Sequence, residues 1–357
     1  MSSSVQTIGS WRVTAPAPSA TAAEGTAGRP TLSVVIPYYR GEATIADAVR
    51  SVLEQTVKPL EIVVCDDGSP DDLDAGLGSL REAVRVIRQR NGGISAAMNA
   101  LTATSRGDYV VQLDQDDAFT PRRLEAITDV LGARPDIDVV ATDAVIELAG
   151  EPVATLEQVH PFAAADQRAV LLTTCTFMWP AVRRAVLQTS GGYDESFPVM
   201  QDWECFLRLV LGGAPMAFVH EPLYRWRLTP GSRSSRDRVE NVQAVLRMTE
   251  KVCSVCPLEP SERALGESLL ASRRRWLARE RARHALQERA SGARAGSLKL
   301  LFGRDFDRAT RAKALVAVLS PALARRFLER RRDKTDPAVE ALAQRGFRWE
   351  RDAGSSA

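Results

Sequence analysis

Three carboxylates, Asp114, Asp116 and Asp117, fall within four residues in the run Gln112-Leu113-Asp114-Gln115-Asp116-Asp117. Carboxylates this close repel one another unless a cation sits between them or one stays protonated. A hard divalent ion with oxygen ligands, Mg²⁺ or Mn²⁺, is the natural occupant, and such ions commonly arrive with phosphates. A solvated acidic turn that caps the next helix is the other way to read the same residues. Further polar clusters stand at Asp66-Asp67-Gly68-Ser69 and Asn91-Gly92-Gly93, where Asp and Gly would equally suit a plain turn. Cys253 and Cys256 have the spacing of half a zinc site, but no second pair or nearby His completes it. His160, His220 and His284 are scattered and compose neither a triad nor a metal site.

Those side chains need a scaffold, and the chain reads as alternating strands and helices. Leu32–Pro37, Leu60–Cys65 and Tyr109–Leu113 are nearly continuous apolar runs, as strands buried on both faces require. Val84–Ile87 is a shorter strand, and Ile137–Thr142 reads as another. Ile45, Ala48, Val49, Val52 and Leu53 recur at spacings of three and four, the period of a buried helix face. A second helix is expected over Ser95–Thr104, and Pro121 leads a third. The alternation predicts an α/β fold, Rossmann-like, with a mainly parallel sheet flanked by helices and right-handed crossovers. In such sheets ligands sit beyond the carboxyl ends of the strands. Tyr38-Tyr39, Asp66-Asp67, Asn91–Gly93 and Asp114–Asp117 all fall at those ends, so four polar clusters converge on one edge.

Composition narrows the class. The 357 residues are 45% hydrophobic and 26% charged, the balance of a soluble globular protein. No run of about 18 apolar residues occurs, so a transmembrane helix is not expected. Residues 1–30 are rich in Ser, Thr, Ala and Pro, carry no leader pattern, and read as a disordered segment. Five cysteines, an odd number in a long chain, fit a reducing cytosol. The net charge of +2 conceals a basic tail, with eighteen Lys/Arg against five Asp/Glu from Ala271 to Arg332. Such a tail suits an anionic surface or the acidic body of the chain itself, and no nucleic-acid partner is expected. There is no Gly-x-Gly-x-x-Gly, no Gly-x-x-x-x-Gly-Lys-Ser/Thr and no Gly-x-Ser-x-Gly, which removes dinucleotide, P-loop and α/β-hydrolase readings.

Seven segments, in order and sensibly spaced, carry a resemblance: Ser33–Tyr39, Ser51–Thr56, Val64–Ser69, Asn91–Asn99, Leu113–Asp117, Gly191–Glu195 and Gln201–Leu209. Together they resemble a family-2 glycosyltransferase of the GT-A fold, over roughly residues 31 to 234. The implied domains are the disordered segment 1–30, a GT-A domain over 31–234 and a helical, Arg-rich C-terminal extension over 235–357. The resemblance implies an inverting enzyme that moves a sugar from a nucleotide-diphosphate sugar to the hydroxyl of a saccharide or lipid-linked acceptor. Work of that kind belongs to polysaccharide, glycolipid or other cell-envelope glycoconjugate synthesis. It also implies Mn²⁺ or Mg²⁺ beneath the diphosphate. Pro37 and Tyr39 would flank the base and Asp67 would accept a hydrogen bond from it, which favours UDP or dTDP while leaving GDP open. Asn91, Gly93 and Asn99 would shape the loop beside ribose and diphosphate. Asp117 would be the main metal ligand, Asp116 would reach ribose or metal, and Asp114 would support the site from the strand end. Asp202 would be the catalytic base, with Glu204 and Glu195 in reserve. An acid there also suits the positive end of a helix. The alternative is a non-catalytic nucleotide-sugar-binding homologue acting as a scaffold.

One position departs from the family pattern. Thr229 stands where members often carry a His that assists at the metal or diphosphate, so Arg225 or Arg227 is expected to meet the diphosphate instead. Beyond Ser235 the pattern turns helical. Ser261–Ala290 has charged faces around Leu265, Leu269, Trp276 and Leu286, and Leu315, Leu319, Leu323 and Phe327 later repeat every four residues. Ser320-Pro321 reads as the cap and first residue of a new helix. Arg-edged helices of this kind would lie on an anionic membrane, pack on the catalytic domain, or join two subunits. The expected location is cytoplasmic, with the inner face of the membrane open to it.

Overall fold

The apolar runs become the centre of a sheet because most of their side chains lose free energy by staying in water. The structure is a computed structural model that describes residues 5–7, 29–162, 167–175, 179–228, 238–288, 292–303 and 306–332. The chain divides into two compact units, Met1–Leu228 and Thr229–Ala357.

In the first unit the described strands are β1 (Val5–Thr7), β2 (Leu32–Tyr38), β3 (Glu61–Asp66), β4 (Arg85–Arg88), β5 (Tyr109–Gln112), β6 (Ala118–Phe119), β7 (Val139–Leu148), β8 (Glu151–Thr155), β9 (Ala181–Arg183) and β10 (Met216–Leu228). The helices are α1 (Ile45–Leu53), α2 (Leu73–Leu77), α3 (Ile94–Thr104), α4 (Arg123–Ala133), α5 (Leu156–Val159), α6 (Gln167–Thr173), α7 (Arg184–Thr189) and α8 (Gln201–Leu211). Strand order is β1-β10-β7-β9-β5-β2-β3-β4, with β6 on β10 and β8 on β7. The block β5-β2-β3-β4 is parallel throughout. Its core residues Val34, Val35, Ile36, Val63, Val64 and Val111 are all buried, which explains why these strands read as unbroken apolar runs. Each such side chain contributes on the order of 1.5–3 kcal/mol by leaving water.

A second parallel pair, β7 with β10, joins that block through β9, which runs antiparallel to both β5 and β7. This reversal is a departure from simple alternation, and its three residues are too few to carry a period. The ladder between β7 and β10 slips on either side of Pro222, which has no N–H to donate. Beyond the slip, Tyr224 and Arg225 pair with Phe119 and Ala118 of β6, immediately after the acidic run. Val5–Thr7, inside the segment expected to be disordered, pairs antiparallel with β10.

Helix α1 buries Ile45, Ala48, Val49 and Val52, the stripe its spacing predicts. Its C-terminal end does more than pack. The Ser51 hydroxyl accepts from the Phe119 N–H at 3.0 Å. Gln55, nearly wholly buried, donates to the carbonyls of Ser51 and Thr120 and accepts from the Leu124 N–H. The Thr56 N–H donates to the Pro121 carbonyl at 2.9 Å. The segment that follows the acidic run is therefore fixed by the end of α1.

The second unit is helical where described: α9 (Arg238–Val255), α10 (Pro260–Gln287), α11 (Ala293–Phe302), α12 (Arg308–Leu319) and α13 (Pro321–Arg332). Glu259 and Glu262 form a reciprocal cap ahead of Pro260, so α10 starts where Pro suits the first turn. Its core joins Val242 and Leu246 of α9 to Trp276 and Leu277 of α10. Helix α13 starts at Pro321 after Ser320, as the sequence predicts.

Candidate active site

The acidic run leaves β5 and turns at once into β6, and each of its carboxylates meets a different environment. Asp114 accepts from the Gln112 amide at 2.9 Å and from the Trp179 indole N–H at 2.8 Å. Asp117 is only 2% exposed, and both of its oxygens are occupied: the Arg227 N–H donates to Oδ1 and the Tyr224 hydroxyl to Oδ2, each at 2.8 Å. Asp116 is half-buried and makes no hydrogen bond or ion pair within the described residues. Burial, then repulsion from Asp116, pushes the Asp114 carboxyl up to about 6 against its two hydrogen bonds; Asp202 adds to the repulsion. Burial and the charges of Asp116 and Asp114 hold Asp117 well above the usual carboxylate range, against the Arg227 amide and Tyr224 hydroxyl. The cluster is short of positive charge.

Beneath it lies an aromatic platform that sequence reasoning did not assign to the site. The Tyr224 ring stacks on Trp179 with centroids 4.1 Å apart and planes 5° apart. Its hydroxyl also accepts from the Asp114 N–H at 3.2 Å, so one phenol ties both ends of the acidic turn. The fully buried Arg123 guanidinium lies 4.8 Å from the Phe119 centroid and 5.0 Å from that of Tyr224. It donates to the Trp179 carbonyl and the Thr142 hydroxyl, and burial lowers it to about 10. The only signal for these residues in the sequence is their aromatic character near the strand ends.

Gln115, between the carboxylates, faces the neighbouring strand end. Its amide accepts from the Tyr39 N–H at 2.8 Å and donates to the Tyr39 carbonyl at 2.9 Å. The Tyr39 ring is 41% exposed, with the Arg40 guanidinium 5.3 Å from its centroid. The Arg40 N–H in turn donates to the Ser69 hydroxyl, which brings the Asp66–Ser69 turn to the same edge. Pro37, half-buried, lies in register with Cys65 of β3.

In that turn Gly68 adopts φ +64°, and a Cβ there would come within 2.7 Å of the Asn91 nitrogen. Asp67 is buried, and it accepts from Gln89 and the Gly92 N–H through Oδ1 and from the Gly93 N–H through Oδ2. The carboxylate therefore fixes the Asn91–Gly93 loop, and Oδ2 keeps a lone pair in hand. Asn91 is exposed and Gly93 sits at φ +85° ahead of α3. Asn99 takes a different post from the expected one. Its amide donates to the Tyr193 carbonyl and to Glu195, and its oxygen accepts from the Tyr193 N–H. The Tyr193 hydroxyl continues to Gln112 at 3.3 Å, which reaches Asp114.

Asp202 stands in the first turn of α8, behind Met200 in the left-handed region at φ +61°. The helix docks Trp203, Phe206, Leu209 and Val210 into the core, and the Trp203 indole donates to the Leu171 carbonyl. Trp203 is thus an anchor. Asp202 is half-buried, accepts from the Trp203 N–H, and lies close enough to raise both Asp114 and Tyr193. Glu204 is wholly buried and ion-paired with Arg208 at 2.9 Å, and Glu195 is exposed. The Arg225 guanidinium bonds Glu147 at 2.7 Å and that of Arg227 lies 3.7 Å from it. Thr229 lies outside the described residues.

Among the described residues no three His, Cys, Asp or Glu side chains are grouped to hold a metal ion by themselves. The donor set nonetheless suits a hard divalent ion that takes one or two carboxylates and completes its shell with phosphate and water.

The description "Glycosyl transferase family 2" matches residues 33–190. An uncharacterized glycosyltransferase of Rickettsia prowazekii is 27% identical over 213 residues, covering 56% of this chain and 64% of that protein. The chain therefore spans less than two thirds of that relative's length. Chondroitin synthase of Escherichia coli is 41% identical over 106 residues, 28% of this chain and 15% of the synthase. Among solved structures, Staphylococcus aureus TarS 1–349 in complex with UDP-GlcNAc superposes with a TM-score of 0.55 at 17% identity, covering 85% of this chain and 92% of that one. The mannosyltransferase PcManGT from Pyrobaculum calidifontis, in complex with GDP-Man and Mn²⁺, gives 0.51 at 17% identity, covering 86% and 89%. At these identities the likeness concerns the fold, which is GT-A.

Proposed function

We propose that the chain, whose residues 33–190 match glycosyl transferase family 2, transfers a sugar, with inversion, from a nucleoside-diphosphate sugar to an acceptor hydroxyl. The observation that carries this reading is the division of labour in the acidic run. Asp114 and Asp117 are tied down by protein donors, which leaves the Asp116 carboxylate open. Asp116 is accordingly the more open of the two expected metal ligands, and Asp117 keeps one lone pair on each oxygen for the same ion. Asp117, with both oxygens engaged by Tyr224 and Arg227, also holds the turn in shape.

In the proposed reaction Asp202 takes the proton from the acceptor hydroxyl as its oxygen bonds to the anomeric carbon. The bond from that carbon to the diphosphate breaks on the opposite face, and the diphosphate leaves with the electron pair. A half-buried carboxylate in the first turn of a helix docked on the core supports this role, since the helix fixes where it stands. Glu204, buried against Arg208, is less suited to it. A divalent ion bound at Asp116 would supply neutralisation of the departing diphosphate.

Tyr39, clipped by Gln115, and Pro37 flank the base in this reading. The spare Asp67 lone pair, the Asn91–Gly93 loop and the Arg227 guanidinium complete the donor site. Asn99 is reassigned from the donor to docking the Gly191–Glu195 segment. The TarS and PcManGT complexes with UDP-GlcNAc and GDP-Man support a nucleotide sugar as donor, and Mn²⁺ in the latter supports a divalent ion. The acceptor is a saccharide or a lipid-linked saccharide.

The test is hydrolysis and transfer from a panel of UDP, dTDP and GDP sugars with Mn²⁺. Asp202→Asn is expected to lower kcat by about 10²- to 10⁴-fold while leaving UDP affinity near wild type. Asp116→Asn is expected to abolish Mn²⁺-dependent UDP binding at unchanged thermal stability. Full turnover by Asp202→Asn, or Mn²⁺-dependent binding by Asp116→Asn equal to wild type, would defeat the assignments.

A further inference from the structure

In the second unit, α12 packs the wrong way round for a helix facing water. Its inward face buries small residues, Ala314 against Ala282 and Leu300, and Ala317 against Leu286 and Ala293. Its outward face carries the large ones. Leu315 is 44% exposed, Val316 42% and Leu319 73%, and Leu323 of α13, on the four-residue repeat, is 55% exposed. A helix with water on that side ordinarily buries its leucines and exposes its alanines and polar residues. Contiguous exposed apolar surface of this kind marks an interaction site.

The charges say what covers it. From Arg308 to Leu328 the chain carries Arg308, Arg311, Lys313, Arg325 and Arg326 and no Asp or Glu. At about 100° per residue, Arg308 opens the apolar stripe and Lys313 flanks it on one side, while the Arg311 guanidinium on the other is engaged with the Gly303 carbonyl. Long cationic stems beside an apolar face can lie along it while their heads reach an anionic layer. A second copy of this chain, meeting this face through a twofold axis, would bring the same cations against one another. No helix among the described residues is long and apolar enough to cross a membrane, so the face would lie on a bilayer and not span it.

We propose that the α12–α13 face docks in plane on the surface of an anionic phospholipid bilayer, with Leu315, Val316, Leu319 and Leu323 entering the headgroup–acyl boundary. The inference stands apart from the transferase reading, because no residue of the acidic site takes part.

Cosedimentation of the full chain with vesicles of phosphatidylcholine alone, and with vesicles carrying about one third phosphatidylglycerol, tests it. The wild type is expected to pellet with the anionic vesicles, less with the neutral ones, and less again as salt rises. The double substitution Leu315→Asp, Leu319→Asp is expected to lower the bound fraction by about tenfold or more. Leu315→Gln, Leu319→Gln serves if the acidic pair fails to fold, as judged by thermal unfolding. Equal binding by substituted and wild-type chains, or no binding by the wild type, overturns the proposal. Light scattering on the same samples gives a further check. A wild-type dimer that the substitution converts to monomer, with no vesicle binding, assigns the face to self-association and overturns it as well.

Discussion

Gln115 sits between two carboxylates, where an outward-pointing side chain would do nothing, yet its amide pairs with both backbone groups of Tyr39. The pairing links the loop proposed to hold the base to the loop proposed to hold the diphosphate, and Gly41 leaves room for it: a Cβ at Gly41 would fall 2.5 Å from the Gln115 amide. Two such hydrogen bonds contribute on the order of 1–3 kcal/mol together. Gln115→Ala is therefore expected to weaken UDP binding in the presence of Mn²⁺ by about tenfold, with kcat at saturating donor changed by less than about threefold. Isothermal titration and steady-state kinetics check it; an unaltered dissociation constant would show that the clip is idle. The sequence made the acidic run legible as a site but not the roles within it. The resemblance marks Asp117 as a metal ligand and says nothing of what holds it. Its partners, Tyr224 and the Arg227 amide, lie 107 and 110 residues away, where no local pattern can announce them. The contacts of Asn99 were hidden for the same reason, since the Gly191–Glu195 segment that takes its amide is also distant in sequence.

At the scale of elements, the parallel block was readable because burial on both faces leaves an unbroken apolar signature in Leu32–Tyr38, Glu61–Asp66 and Tyr109–Gln112. Helices α1 and α3 were readable through their periods and ends. What stayed hidden was the joint between the two halves of the sheet, since β9 has three residues and β10 is interrupted at Pro222. Ser51–Thr56 was visible as a motif while its purpose was not. Gln55 uses both ends of its amide, holding the Ser51 and Thr120 carbonyls and the Leu124 N–H, and so couples the end of α1 to the start of α4. Removing it would leave the Leu124 N–H unpaired in a dry place and strip the Thr120 carbonyl of one of its two donors, the other being the Arg123 N–H, at a cost of about 1–3 kcal/mol. Gln55→Ala is expected to lower the urea midpoint accordingly and to reduce turnover through displacement of Phe119 and the acidic turn before it. Gln55→Glu, which fits the space but cannot donate, is expected to do no better. Unaltered stability in both variants would mean that the segment after the acidic run is held by β6 and β10 alone.

For the molecule as a whole, pH acts on folding through groups that the fold holds far from their ordinary protonation. His160 is such a group. It lies at the end of α5, 6% exposed, with its Nδ1 3.5 Å from the Thr174 hydroxyl, and burial pushes its imidazole from 6.5 down to about 4. Between those two values the unfolded chain binds a proton that the folded chain does not. Stability therefore rises with pH across this window, and falls as pH drops through it, by up to about 1.4 kcal/mol per unit from this one group. Above 6.5 both states are neutral and the contribution is constant; below 4 both are protonated and the loss is complete. Carboxylates titrate over part of the same range, so the wild-type curve alone does not isolate the histidine. The difference between two curves does. His160→Gln keeps a polar group for Thr174 and removes the titration, so its urea-derived stability is expected to fall below wild type at pH 7 but to converge on it, or pass it, near pH 4.5. The gap should close by about 2–3 kcal/mol over that interval. Parallel curves for the two proteins would show that His160 charges without unfolding anything, through water or a local opening at the end of α5.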